Sequence, residues 1–84
     1  MTVRYSKKSL KFLGRLDGKA VLRIRAAVSG LAEIPPKGDV KPMQGCGDGR
    51  LRLRVGDWRV IYRVDSVADA LLVLEIGNRG DIYK

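Results

Sequence analysis

The chain contains no histidine, one cysteine and no long apolar run. Each absence removes a class of function. Without histidine, most zinc sites and serine–histidine catalysis are excluded. A lone Cys46 cannot form an internal disulfide, which agrees with a reducing cytosol. The longest hydrophobic stretches are far too short to span a bilayer. The opening segment "MTVRYSKKSLKF" lacks the apolar centre of a secretory signal, so a cytoplasmic protein is expected. What remains is 84 residues, 45% hydrophobic and 31% charged, enough for one folded domain over 1–84 with a modest core. Acidic residues are scarce: 17 Lys and Arg stand against nine Asp and Glu, a net charge of +8. Such a field favours nucleic acid or an acidic protein as partner. A generic basic, soluble domain fits the charge equally well.

"TVRY", residues 2–5, is short and β-prone and reads as a first strand. Ser6 is placed to cap a helix through its hydroxyl. In that helix Leu10, Leu13 and Leu16 recur every three residues with Phe12 alongside, and Lys8, Lys11 and Arg15 form a separate basic face. Asp17-Gly18 breaks it, and Asp17 is positioned to cap the next helix. There Val21, Ile24, Val28 and Leu31 follow the spacing of a buried stripe, which ends before Pro35-Pro36. Two helices so closely joined are expected as an antiparallel hairpin. Residues 35–49 show no period and read as loop.

Three strands are expected after the loop. Arg50–Val55 and Trp58–Asp65 flank Gly56-Asp57, a two-residue hairpin signal, and "LLVLEI" over Leu71–Ile76 reads as a buried strand. The order β-α-α-β-β-β predicts an α+β domain, a helical hairpin on one face of a mainly antiparallel four-stranded sheet.

The stretch "RLRLRVGDWRVIYRV" carries the functional signal. With Gly56-Asp57 as the turn, Val55 opposes Trp58, Arg54 opposes Arg59, Arg52 opposes Ile61 and Arg50 opposes Arg63. Leu51, Leu53, Val55, Trp58, Val60 and Tyr62 then share the core face, and five arginines share the other with Ile61. A solvated outer face is the plain explanation. Such faces usually mix signs, however, and like charges directly opposite destabilise a sheet. Arginine's planar fork suits phosphate, so an anion-binding face is expected. By parity along "LEIGNRGDIYK", Arg79 projects with Glu75, Val73 and Leu71, while Leu72, Leu74 and Ile76 pack on the helices. Glu75 either orients an arginine or forms a plain surface ion pair. By spacing alone, Tyr83 is a terminal packing residue.

With "RVGDWRVIYRV" followed about ten residues later by "IGNRGDIYK", behind a strand and two helices, nearly the whole chain resembles the RelE family of bacterial and archaeal toxins. The resemblance implies a metal-independent, ribosome-dependent endoribonuclease needing no cofactor. It would cut mRNA in the A site through the RNA 2′-hydroxyl and so inhibit translation. It also implies a RelB-like antitoxin as partner, operator DNA bound only through that complex, and no membrane contact. The family's catalytic positions match Arg50 and Arg52, or one step along Arg52 and Arg54, together with Arg59, Arg79 and Tyr83. Members often carry lysines where this chain has Arg50 and Arg52. Arg54, Arg63, Lys84, Lys8, Lys11 and Arg15 are left as nucleic-acid contacts, with a solvated face equally open for the helix residues. Two other readings stand beside this one: a ParE-like inhibitor of DNA gyrase, and a non-catalytic module that binds nucleic acid.

Overall fold

The computed structural model describes residues 1–33, 36–43 and 49–78. Its elements are β1 (Thr2–Tyr5), α1 (Lys7–Leu13), α2 (Gly18–Gly30), β2 (Asp39–Pro42), β3 (Leu51–Val55), β4 (Trp58–Asp65) and β5 (Ala70–Asn78). The strands form one sheet in the order β1-β5-β4-β3-β2. The β1–β5 pair is parallel and the other three pairs are antiparallel. Both helices pack on the sheet, α1 against β5 and α2 against β3, which is the expected α+β class.

Both helix starts follow from their caps. The Ser6 hydroxyl accepts the N–H of Ser9 at 3.1 Å, and Asp17 Oδ1 accepts that of Ala20 at 2.8 Å. Each side chain satisfies an amide that has no partner within its own helix. On α2, Ile24 and Val28 are fully buried and Leu31 nearly so, as the stripe predicts.

On α1 the leucine reading is corrected. Leu13 is buried, and Phe12 and Leu16 pack against the core, but Leu10 is 54% exposed. A three-residue spacing drifts about 60° per step around a helix of 3.6 residues per turn. Leu10 is therefore turned away from Leu13, while Leu16, beyond the end of α1, packs inward. Ser9, four before Leu13, takes the inward place and is fully buried. Its hydroxyl donates to the Ser6 carbonyl at 2.8 Å.

The sheet has five strands rather than four, because β2 lies within the stretch read as loop. It has no alternation to read: Val40 alone is half-buried, between exposed Asp39 and Lys41. As the outermost strand it also tolerates Pro42, which a central strand would reject.

The second correction concerns β5. Leu71 and Val73 are each 1% exposed and face the helices, opposite Val64 and Tyr62. Leu72 and Leu74 are not the inward pair. The register slips between Ile61 and Tyr62, whose partners are Glu75 and Val73, so Leu74 is an extra, bulged residue. The bulge inverts the parity, and Ile76 beyond it faces the core opposite Val60. A near-continuous apolar run contains no alternation from which this could be read. The Leu74 carbonyl instead accepts the Ser6 hydroxyl at 2.8 Å, tying the bulge to the start of α1.

Candidate nucleic-acid interface

The hairpin register is the one expected. Leu51, Arg52, Leu53, Arg54 and Val55 stand opposite Tyr62, Ile61, Val60, Arg59 and Trp58. The turn has φ +58° at Gly56, and Asp57 is not in the left-handed region, the pattern of a II′ turn. The positive φ is what calls for glycine here. The Arg23 guanidinium lies 3.1 Å from where a Cβ on Gly56 would stand.

Cross-strand partners share a face, so the register builds the outer face row by row. One row runs Asp39, Arg54, Arg59, Gly77, and the next runs Lys41, Arg52, Ile61, Glu75. A third runs Arg63, Leu72, Arg4. Arg50 precedes β3, and its carbonyl accepts the Met43 N–H at 3.2 Å. The expected Arg50–Arg63 pair is therefore not part of the ladder, which ends at Leu51 and Tyr62. Between Leu51 and Tyr62 the hairpin carries no acid on this face, but β2 contributes Asp39, β5 contributes Glu75, and Asp65 ends β4 on the same side, its Oδ1 accepting the Val67 and Ala68 amides at 3.1 Å. Lys41 and Arg4 join the basic set and were missed. Lys41 was hidden by the unrecognised strand, and Arg4 by the unforeseen parallel pairing of β1 with β5.

The arginines are not equivalent. Arg50, Arg54 and Arg63 are exposed, Arg52 is half-buried, and Arg59 is only 3% exposed. Arg59 Nη1 donates to the carbonyls of Trp58 at 3.2 Å and Gly56 at 3.5 Å. Its buried Nε has no hydrogen-bond partner among the described residues. A desolvated cation with an unmet donor is costly unless something anionic joins it. Opposite Arg59, Gly77 offers no side chain to fill the space. Ile61, 2% exposed, forms an apolar floor between Arg52 and Glu75.

Glu75 is engaged by Lys8, with Nζ 3.0 Å from Oε1. Of the two roles left open for it, this is the surface ion pair. Lys8 is 72% exposed, so the pair contributes little stability. Lys8, Lys11 and Arg15 line a cleft of about 230 Å³ with Phe12 and Ile76, on the helical side rather than with the arginine rows. Arg79, Tyr83 and Lys84 lie outside the described residues.

Burial raises the phenol pKa of both described tyrosines outside the tail. For Tyr62 it acts alone, while for Tyr5 the nearby Arg25 partly offsets it. Both are on the core side of the sheet and stay neutral, so neither acts as a phenolate base for the arginine face.

The model of the family described as the ParE toxin of the type II toxin–antitoxin system, parDE, matches residues 3–83. The chain belongs to this family. The toxin is 25% identical over 83 residues to Toxin RelG of Mycobacterium tuberculosis, covering 99% of this chain and 95% of that protein. It also superposes on the toxin of the archaeal RelE–RelB complex from Pyrococcus horikoshii OT3. There the TM-score is 0.77 with 31% identity, over 95% of this chain and 96% of the other. The YoeB/ParE toxin from Agrobacterium tumefaciens shares the fold, with TM-score 0.76 at 22% identity, covering 94% and 99% of the two chains. The chain is thus a type II toxin of the RelE/ParE superfamily, with a ParE family model on one side and RelE-named relatives on the other.

Proposed function

We propose that the toxin is a ribosome-dependent endoribonuclease that cuts mRNA in the A site. The observation that carries this reading is Arg59, a buried guanidinium whose Nε has no partner among the described residues, set between Arg54 and the glycine of β5. A preorganised cation in a desolvated site stabilises charge that develops on a phosphorane. Arg52 and Arg54 extend the same patch toward β2. The ribonuclease step forms a bond from the RNA 2′-oxygen to phosphorus and breaks the bond to the 5′-oxygen. The products are a 2′,3′-cyclic phosphate and a free 5′-hydroxyl, and no metal is required. Arginine suits charge stabilisation and is a poor base, since its pKa exceeds ~12. Proton transfer therefore falls to Tyr83 or Lys84, with Arg79 joining Arg52 and Arg59 on the scissile phosphate. Arg50, Arg54 and Arg63 are backbone contacts at the rim. A RelB-like antitoxin is the proposed partner, by likeness to the RelE–RelB complex, and the cytoplasm is the proposed compartment.

The family match favours a second reading, inhibition of DNA gyrase in the manner of ParE. In that case the buried Arg59 and its neighbours have no catalytic duty. One experiment separates the two. Purified toxin is added to programmed ribosomes beside an Arg79→Ala variant, and mRNA ends are mapped by primer extension. Cuts inside A-site codons that need both ribosomes and Arg79 support the ribonuclease. Intact mRNA, with supercoiling by gyrase blocked, supports the second reading.

A further inference from the structure

A second basic surface lies away from the arginine rows. The cleft holding Lys8, Lys11, Phe12, Arg15 and Ile76 shares Arg15 with a larger one of about 380 Å³. That cleft is lined by Arg15, Leu16, Asp17, Lys19, Ala20, Arg23 and Trp58. The two clefts lie on either side of Arg15, which lines both, and together they border α1, the start of α2 and Trp58 beside the β3–β4 turn. The one acid in their lining, Asp17, holds the Ala20 amide, and at the far end Lys8 is paired with Glu75 of the arginine rows. Phe12 and Trp58 pack against the core on one side and remain half-exposed on the other.

Most of the charges here work against the helices that carry them, Lys11 in the last turn of α1 excepted. Lys8 and Lys11 are three apart on α1, and Lys19 and Arg23 four apart on α2, so each pair repels at helical spacing, with Arg15 just beyond the end of α1. Neither helix has an acidic residue in its first turn, and Lys7, Lys8 and Lys19 stand where the helix dipole disfavours cations. A purely solvated surface has no reason to keep all of these together. Arg23 also lies flat against Gly56, so the larger cleft reaches the same turn from which Arg59 departs on the opposite face.

We propose that the groove of Lys11, Arg15, Lys19 and Arg23, with Phe12 and Trp58, is a track for the backbone of a single RNA strand. Cations spaced along a groove and broken by aromatic side chains are the pattern that holds phosphates while bases stack. Trp58 and Arg59 are adjacent and point to opposite faces of β4, so one strand can pass around the hairpin turn from the track to the arginine rows. The inference rests on the RNA-binding part of the proposed function and not on cleavage.

The test therefore uses RNA that cannot be cut. A fully 2′-O-methylated single-stranded oligonucleotide is titrated with toxin by fluorescence anisotropy at several salt concentrations. The wild type is compared with Lys11→Ala/Arg15→Ala/Lys19→Ala, all exposed positions, with thermal unfolding as the check on folding. Three lost phosphate contacts flatten the dependence of log K on log salt by about 2. Trp58→Leu is a second variant, expected to weaken binding without changing that slope. A slope unchanged in the folded triple variant overturns the track, whether or not the ribosome assay finds cleavage. Unchanged RNA binding with weakened antitoxin binding would reassign the groove to an acidic protein segment. A flattened slope together with intact mRNA on ribosomes would keep the track and sink the ribonuclease.

Discussion

Arg59 separates what an arginine does for folding from what it does for function. Its side chain is 3% exposed, and its two described bonds end on carbonyls of its own turn. Replacing a buried charge by an apolar side chain of similar volume is often neutral or stabilising. Arg59→Met is therefore expected to unfold no earlier than the wild type by circular dichroism. On the proposed function it loses cleavage by about 10²–10³-fold, the cost of one oriented donor. Primer extension measures the second effect, and a large drop in Tm would make Arg59 a structural residue instead. The alternation in "RLRLRVGDWRVIYRV" did place Arg59 on the outer face. It contained nothing about burial, because exposure depends on what the neighbouring strands present. Gly77 is brought opposite Arg59 by the β4–β5 pairing, which lies outside the hairpin.

Among the elements, β5 differs most from its local pattern. One bulged residue, Leu74, exchanges the two faces of the preceding four positions, and the Ser6 hydroxyl holds its carbonyl. Leu72 and Val73 are adjacent and chemically alike, yet they should respond oppositely to one substitution. Val73→Thr buries a hydroxyl in the core and is expected to cost about 1–3 kcal/mol. Leu72→Thr, on the outer face between Arg63 and Arg4, should cost under about 1 kcal/mol. Each kcal/mol corresponds to roughly 4–8 °C in Tm for a domain of this size, so calorimetry resolves the order. Equal or reversed costs would mean that β5 carries no bulge. The helices were more legible: Ser6 and Asp17 are local caps, and the α2 stripe needs only its own period. On α1 the repeated leucines outweighed a buried serine, since Ser9 becomes tolerable only once its hydroxyl finds the Ser6 carbonyl.

Taken whole, the molecule is a strongly positive body with no group that titrates near neutrality through histidine. Its stability should be flat across neutral pH and fall at the alkaline end. Burial raises the folded-state pKa of Tyr5 and Tyr62 above the usual value of 10.0. Once pH passes about 10 the unfolded chain releases these protons first, so the folded state binds more protons and stability declines as pH rises. Thermal unfolding from pH 8 to 11, with phenolate absorbance followed in parallel, checks both the direction and the onset. The sequence by itself determined the charge, the helix caps, the α2 stripe and the hairpin register. These arise from residues within a few positions of one another, where turn chemistry and side-chain period act. Only the tertiary structure decided the edge strand β2, the parity of β5, the Lys8–Glu75 pair and the burial of Arg59. Each of those depends on which distant backbone lies alongside, and a strand's own residues do not encode its neighbour.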